Sequence, residues 1–194
     1  MQKTESRTDS NSPIITIRKA SFEDASFVAC CVLASVDLYD FKNDSIEKDV
    51  AERVCGMEDT LFSYRNARIA ADSGKPVGCL VSYDGARYAE ARAVTFRIFA
   101  EAGRPMDDTE FETGPGEYYI DSLAILPAYR GLGIGRELIY DAMEEARKNG
   151  LRQVGLIVEC SKPLLRDYYA ELGFIPVREM NAFGDRYLKM TLTL

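Results

Sequence analysis

Gly131, Gly133 and Gly135 stand on alternate positions in the stretch YRGLGIGREL (129–138), with Arg130 on one side and Arg136 on the other. Glycine lets the backbone take positive φ and come close to a ligand with no Cβ in the way. Upstream, EYYIDSLAIL (117–126) alternates β-forming residues and reads as a strand. Downstream, Ile134, Leu138, Ala142, Met143 and Ala146 recur at helical spacing as far as Lys148, and Asn149-Gly150 ends the run. The junction is therefore strand, loop, helix N-terminus. Unpaired N–H groups gather at such a terminus, and the helix dipole adds about half a positive charge. That is a seat for phosphate, with Arg130 and Arg136 as cations for its oxygens. A Walker loop would close on Gly-Lys-Ser/Thr, where this one closes on Gly-Arg-Glu. A dinucleotide fingerprint needs GxGxxG, and the spacing here is GxGxG.

The arrangement R-x-x-G-x-G at Arg130, Gly133 and Gly135, after a strand ending SLAILPAYR, resembles the acetyl-CoA loop of the GNAT superfamily of N-acetyltransferases. A second landmark follows in the expected order: DYYAELGF (167–174) is similar to the family's aromatic helix leading into Leu-Gly-Phe. The opening IRKASFEDASFVA is also similar, so the resemblance spans residues 14–194 apart from 84–116. It implies that pantetheine pairs like an added strand with Leu123, Ala124 and Ile125. The pyrophosphate would lie on backbone N–H groups of Gly131, Leu132, Gly133, Ile134, Gly135 and Arg136, with Arg130 beside them. An N–H near Ile125 or Leu126 would polarise the thioester carbonyl. Such a donor is worth about 2.7–4 kcal/mol in other enzymes.

The resemblance also implies a general acid, the tyrosine five residues before the Phe of Leu-Gly-Phe, which is Tyr169. A protonated amine must lose a proton before it attacks, and with no histidine in the chain a carboxylate, directly or through water, is the available base. Glu117, Asp121 and Glu159 are candidates; Glu117 and Asp121 are preferred, since Asp121 shares a strand face with Tyr119. Two positions depart from the family pattern. Ile157 stands where some relatives carry glutamate, and Lys162 where many carry a cofactor-contacting asparagine. Lys162 either reaches a phosphate or faces solvent.

These residues need a scaffold. IITIRKA (14–20) reads as a strand, and SFED as a capping box from Ser21 to Asp24 that opens the helix DASFVACCVLASV. Residues 45–64 read as a second helical stretch, and 67–83 as a hairpin turning on DSGK. YAEARAVTFRIFAEAG has helical spacing and lies in an insertion at 84–116, whose end, FETGPGEYY, reads as a mobile edge of the site. Tyr88, Arg92, Phe96 and Phe99 are candidates to line an acceptor pocket, against ordinary packing of the aromatics. RQVGLIVE (152–159) is a strand, Ser161 the expected cap of the helix KPLLRDYYAEL, and GFIPVREM and DRYLKMTLTL close the chain as strands. The fold class is α/β in the α+β sense: a mixed, largely antiparallel central sheet flanked by helices, GNAT-like.

Composition bounds the rest. The 194 residues fit a polar, disordered tail (1–12) and a single domain (13–194), with 46% apolar and 28% charged residues. A net charge of −7 argues against binding nucleic acid or an anionic membrane, and fits a cationic substrate or a surface charged for solubility. The absence of histidine excludes Ser-His-Asp and Cys-His mechanisms and the commonest metal ligand, and no metal is required. Five cysteines without a CxxC pair read as buried free thiols in a reducing compartment, Cys160 among them. With no secretory signal and no apolar stretch near the roughly 20 residues of a membrane span, the expected location is cytoplasmic. The expected partners are acetyl-CoA and an amine, small or on a protein, and the exposed ends of the sheet would allow a homodimer. The alternative reading is an acetyl-CoA-binding sensor without turnover.

Overall fold

The computed structural model describes residues 13–41, 47–106 and 110–194. The expected tail at 1–12, the first residues of the 45–64 stretch and part of the loop before β4 lie outside them. Among the described residues seven strands form one sheet: β1 (Ile15–Lys19), β2 (Ala67–Asp72), β3 (Lys75–Asp84), β4 (Glu117–Ile125), β5 (Gln153–Glu159), β6 (Ile175–Ala182) and β7 (Asp185–Thr193). Their order across the sheet is β1-β2-β3-β4-β5-β7-β6. Only β4 and β5 run parallel, so the sheet is mixed and largely antiparallel, as expected. Ser73 and Gly74, both at positive φ (48° and 83°), make the two-residue turn of the β2–β3 hairpin.

Helices cover both faces. α1 (Ala25–Ser35) and α2 (Lys48–Gly56) pack one face, where Val28, Cys31 and Val32 meet Ile69, Cys79, Val81 and Tyr119. α3 (Tyr88–Glu101) joins them, packing Ile98 and Phe99 on Val54 of α2. α4 (Ile134–Lys148) and α5 (Pro163–Glu171) cover the other face. There Leu138, Ile139, Ala142 and Ala146 meet Leu80, Ile120, Leu156 and Phe174. The predicted apolar face of α4 is buried throughout, and Gly150 leaves its end at φ 74°. At the other end of the chain the capping box forms as read: the Ser21 N–H donates to Asp24 Oδ2 at 2.8 Å. Asp24 also accepts from both terminal guanidinium nitrogens of Arg18, at 2.6 and 2.8 Å, which fastens β1 to the start of α1.

Three expectations need correction. The 45–64 helix is shorter: Met57 turns extended (φ −90°, ψ 157°), and the Thr60 hydroxyl takes the Val54 carbonyl at 2.8 Å, which ends α2 at Gly56. Ser161 does not cap α5, because its hydroxyl donates to Glu159 instead; Lys162 stands at the N-cap, without a side-chain cap bond, and Pro163 fixes the first turn. Cys160 is exposed at the end of β5, whereas Cys31, Cys55 and Cys79 are buried.

Candidate active site

β4 and β5 pair over only three residues, Glu117–Tyr119 against Gln153–Gly155. Beyond Tyr119 they separate: β4 stays on β3 as far as Ile125, and β5 stays on β7 as far as Glu159. A β-bulge accompanies the split, since Val81 pairs with Ser122 and Ser82 with Ile120, leaving Asp121 as the extra residue. Bulges bend a strand and increase its twist, which turns the end of β4 away from β5. The Leu126 N–H donates to Val77 O at 2.9 Å. Backbone groups alternate sides along an antiparallel ladder, so those of Leu123 and Ile125 point into the wedge and those of Ala124 point to β3. Arg130 Nε donates to Ile125 O at 3.1 Å from that open side. Of the two donors expected at the thioester, Leu126 is thus committed to β3, and Ile125 faces the wedge.

The wedge leads to the glycine loop. Gly131 and Gly133 sit at φ 78° and 80°, and a Cβ on either would meet nothing within 4 Å. Their glycine is there for backbone conformation, in a space left open. Gly135 serves differently: a Cβ there would stand 3.3 Å from the Tyr168 hydroxyl, so its bareness lets α5 pack on α4. Gly133 is the N-cap of α4 and offers no side chain to cap it, so the first-turn N–H groups stay available to an anion. Arg130 and Arg136 are both exposed beside them. This cradle fits a pyrophosphate.

Tyr169 of α5 is 7% exposed, its ring 5.9 Å from Phe174 and 5.5 Å from Tyr168. Burial pushes its hydroxyl pKa well up, so it holds its proton at neutral pH. Lys162 reaches no loop: its Nζ bonds Asp37 at 2.5 Å and Glu159 at 3.3 Å. Hydrogen bonding from Ser161 and the charge of Lys162 in turn hold the Glu159 carboxyl below its ordinary range.

The two preferred carboxylates have different surroundings. Glu117 is buried in an ion pair with Lys189 of β7, accepts the Thr113 hydroxyl at 2.7 Å, and lies over Gly155. A Cβ on Gly155 would stand 2.3 Å from the Glu117 carboxyl carbon, so this glycine makes the room. Asp121 is half-buried at the bulge, where the wedge begins, and accepts Tyr83 Oη at 2.5 Å and Ser122 Oγ at 2.9 Å. Desolvation raises its pKa, against these two hydrogen bonds.

A fourth carboxylate escaped the sequence reading. Glu112, 8% exposed, accepts Tyr119 Oη at 2.5 Å and Tyr88 Oη at 3.1 Å behind β4. Desolvation, then the charge of Asp121, push its pKa up to about 7. The segment carrying it is tied down rather than a mobile edge. Lys189 Nζ donates to Glu112 O at 2.7 Å, and Glu110 accepts Arg178 at 2.9 Å and the Asn181 N–H at 3.0 Å. No periodicity marks a loop carboxylate for burial, so nothing local in the chain points to it. The insertion's aromatics are packing residues: Tyr88 and Phe99 are buried, and Arg92 lies 4.1 Å over Phe96 and 5.2 Å from Phe111.

The sequence model of the acetyltransferase (GNAT) family matches residues 38–174, more than half of the chain, including the wedge strand, the loop and Tyr169. The chain belongs to the GNAT acetyltransferase family. No curated protein sequence matches it significantly. Among solved structures, one described as an acetyltransferase is 26% identical with a TM-score of 0.73, covering 92% of this chain and 98% of its own. An N-acetyltransferase from Staphylococcus aureus Mu50 superposes with a TM-score of 0.75 at 22% identity, over 91% of this chain and 100% of its own. PaiA N-acetyltransferase from Thermoplasma acidophilum, solved in complex with coenzyme A, shares the fold at 14% identity, with a TM-score of 0.57 over 93% and 99% of the two chains. This GNAT protein is an acetyl-CoA-dependent N-acetyltransferase, and its general chemistry is acyl transfer from acetyl-CoA. Among the described residues no cluster of three or more His, Cys, Asp or Glu is placed to hold a metal ion, and no helix is long and apolar enough to cross a membrane.

Proposed function

We propose that the chain moves the acetyl group of acetyl-CoA onto a primary amine by direct attack in one ternary complex. The observation that carries this reading is the wedge: an unpaired β4 edge at Leu123–Ile125 running into the uncapped N-terminus of α4. An extended pantetheine arm would pair with the Leu123 and Ile125 backbone, and its pyrophosphate would lie on N–H groups between Gly131 and Arg136. The Ile125 N–H would polarise the thioester carbonyl and hold the oxyanion as it forms. Holding amine and thioester together supplies most of the rate by proximity, with no covalent enzyme intermediate.

The proton steps then fall to two side chains. Asp121 takes a proton from the acceptor's ammonium, freeing the lone pair that attacks the carbonyl carbon. We assign this role to Asp121 over Glu117 because Asp121 stands where the strands part, whereas Glu117 is engaged with Lys189. As the C–S bond breaks, Tyr169 gives its proton to the departing thiolate. It regains one when the new amide nitrogen sheds its second proton.

The test is calorimetric titration with acetyl-CoA, followed by thiol release on adding spermidine, benzylamine or a peptide with a free N-terminus. Amine-dependent release establishes the transfer and its acceptor class. Binding without release from any of them would favour a sensor, and no binding would remove the wedge as the acetyl-CoA site. Gly133→Ala checks the cradle separately. Forcing an alanine to φ 80° costs about 1–2 kcal/mol, and the displaced N–H groups should weaken acetyl-CoA binding about tenfold in the same titration. An unchanged Kd would take Gly133 out of the phosphate site.

A further inference from the structure

Glu112 belongs to the insertion and has no part in the roles assigned so far, yet the fold goes to some length to place it. Gly85, just past β3, has no Cβ where one would stand 2.3 Å from Gly114 O and 2.6 Å from Thr113 Oγ1. The segment can therefore close onto the sheet and carry Glu112 beneath α3. Two tyrosines from different elements aim their hydroxyls at it, Tyr88 from α3 and Tyr119 from β4. Tyr119 is the neighbour of Asp121 on the same strand face, and the Tyr83 ring, whose hydroxyl holds Asp121, lies 5.8 Å from the Tyr119 ring and 6.4 Å from that of Tyr88. The three tyrosines thus form one buried block, with Glu112 bound at one end and Asp121 at the other.

We infer that Glu112 is a positioning residue for the acyl transfer, one that makes Asp121 an effective base by setting a second negative charge behind it across the Tyr83–Tyr88–Tyr119 block. This rests on Asp121 acting as the base. An isolated carboxylate accepts a proton from an ammonium poorly, because its own affinity is too low near neutrality. With Glu112 ionised nearby, a proton arriving on Asp121 also relieves repulsion between two poorly solvated charges. The step itself is one proton passing from the acceptor nitrogen to an Asp121 oxygen, with Glu112 keeping its charge.

The remaining charged and titratable neighbours do not cancel the effect. From β7, Lys189 faces Glu112 but is paired with Glu117 of β4. From α3, Arg92 acts on Tyr88 and lies over Phe111, and from α2, Cys55 is a thiol held neutral by burial. The sign follows from the raised Glu112 pKa, about 7: the doubly ionised pair forms as pH rises through neutrality, so turnover should rise there too.

The test uses the full chain and two readouts. Carboxyl-carbon NMR should show one glutamate, identified by its loss in Glu112→Gln, titrating near neutrality. In Asp121→Asn its midpoint should fall by about one pH unit, and in Tyr119→Phe it should rise, because a hydrogen bond to the ionised form is gone. In kcat/KM against pH, measured by thiol release with the fastest amine of the panel above, Glu112→Gln should lower the base limb by about one unit and reduce turnover above it about tenfold. Tyr119→Phe should move that limb the opposite way, which general loosening of the fold would not do. An unmoved Glu112 midpoint in Asp121→Asn, or an unchanged pH profile in both Glu112→Gln and Tyr119→Phe, overturns the proposal. Failure of the underlying reading looks different: Asp121→Asn would then retain full turnover.

Discussion

Tyr169→Phe is expected to lower kcat by about 10²-fold or more while leaving the acetyl-CoA Kd within about twofold. The substitution removes one oxygen and keeps the ring, which is buried against Tyr168 and Phe174, so packing on α4 should survive. What is lost is the proton for the leaving thiolate. Burial holds that proton on the hydroxyl at neutral pH, and in the proposed mechanism it is this hydroxyl that protonates the departing sulfur. Single-turnover thiol release measures the chemical step, and calorimetry on the same sample measures affinity. Unchanged release would take Tyr169 out of the proton transfer and leave it a core aromatic.

Lys189→Met is expected to be the most damaging single change to stability, by about 3–5 kcal/mol. Lys189 is 7% exposed, pairs with a buried Glu117 and donates to the Glu112 carbonyl at 2.7 Å. A methionine of similar volume fills the space but leaves the Glu117 carboxylate without a counter-charge between β4 and β7. Breaking a buried pair on one side is far worse than replacing both partners. Lys189→Met with Glu117→Gln should therefore recover most of the loss, since the charge left behind is gone. Urea unfolding followed by circular dichroism reads both. A loss under about 1 kcal/mol in the single variant would mean that water or local movement solvates Glu117, and that the pair is not part of what joins the strands at the apex of the wedge.

Much of the molecule is legible in the chain because local physics dictates it. The α4 face from Ile134 to Ala146 announces itself by period, and the DSGK turn by a glycine where φ must be positive. The loop from Arg130 to Arg136 is marked by Gly131 and Gly133, whose positive φ admits little else. Ser161 and residues 57–64 misled because a cap or a helix end is decided by competing hydrogen bonds. Ser161 found Glu159, and Thr60 found the Val54 carbonyl, and neither partner is visible in a propensity.

The order of elements, the glycine loop before α4 and the place of Tyr169 ahead of Leu-Gly-Phe are readable from residues close together in the chain. The partners of each carboxylate, by contrast, come from the fold alone. Glu117 meets Lys189 across 72 residues, and Asp121 meets Tyr83 across 38. Glu112 lies buried beneath α3 because Gly85, far back along the chain, leaves it a path. A carboxylate's charge and proton affinity are set by what surrounds it in space, and no local pattern encodes those surroundings.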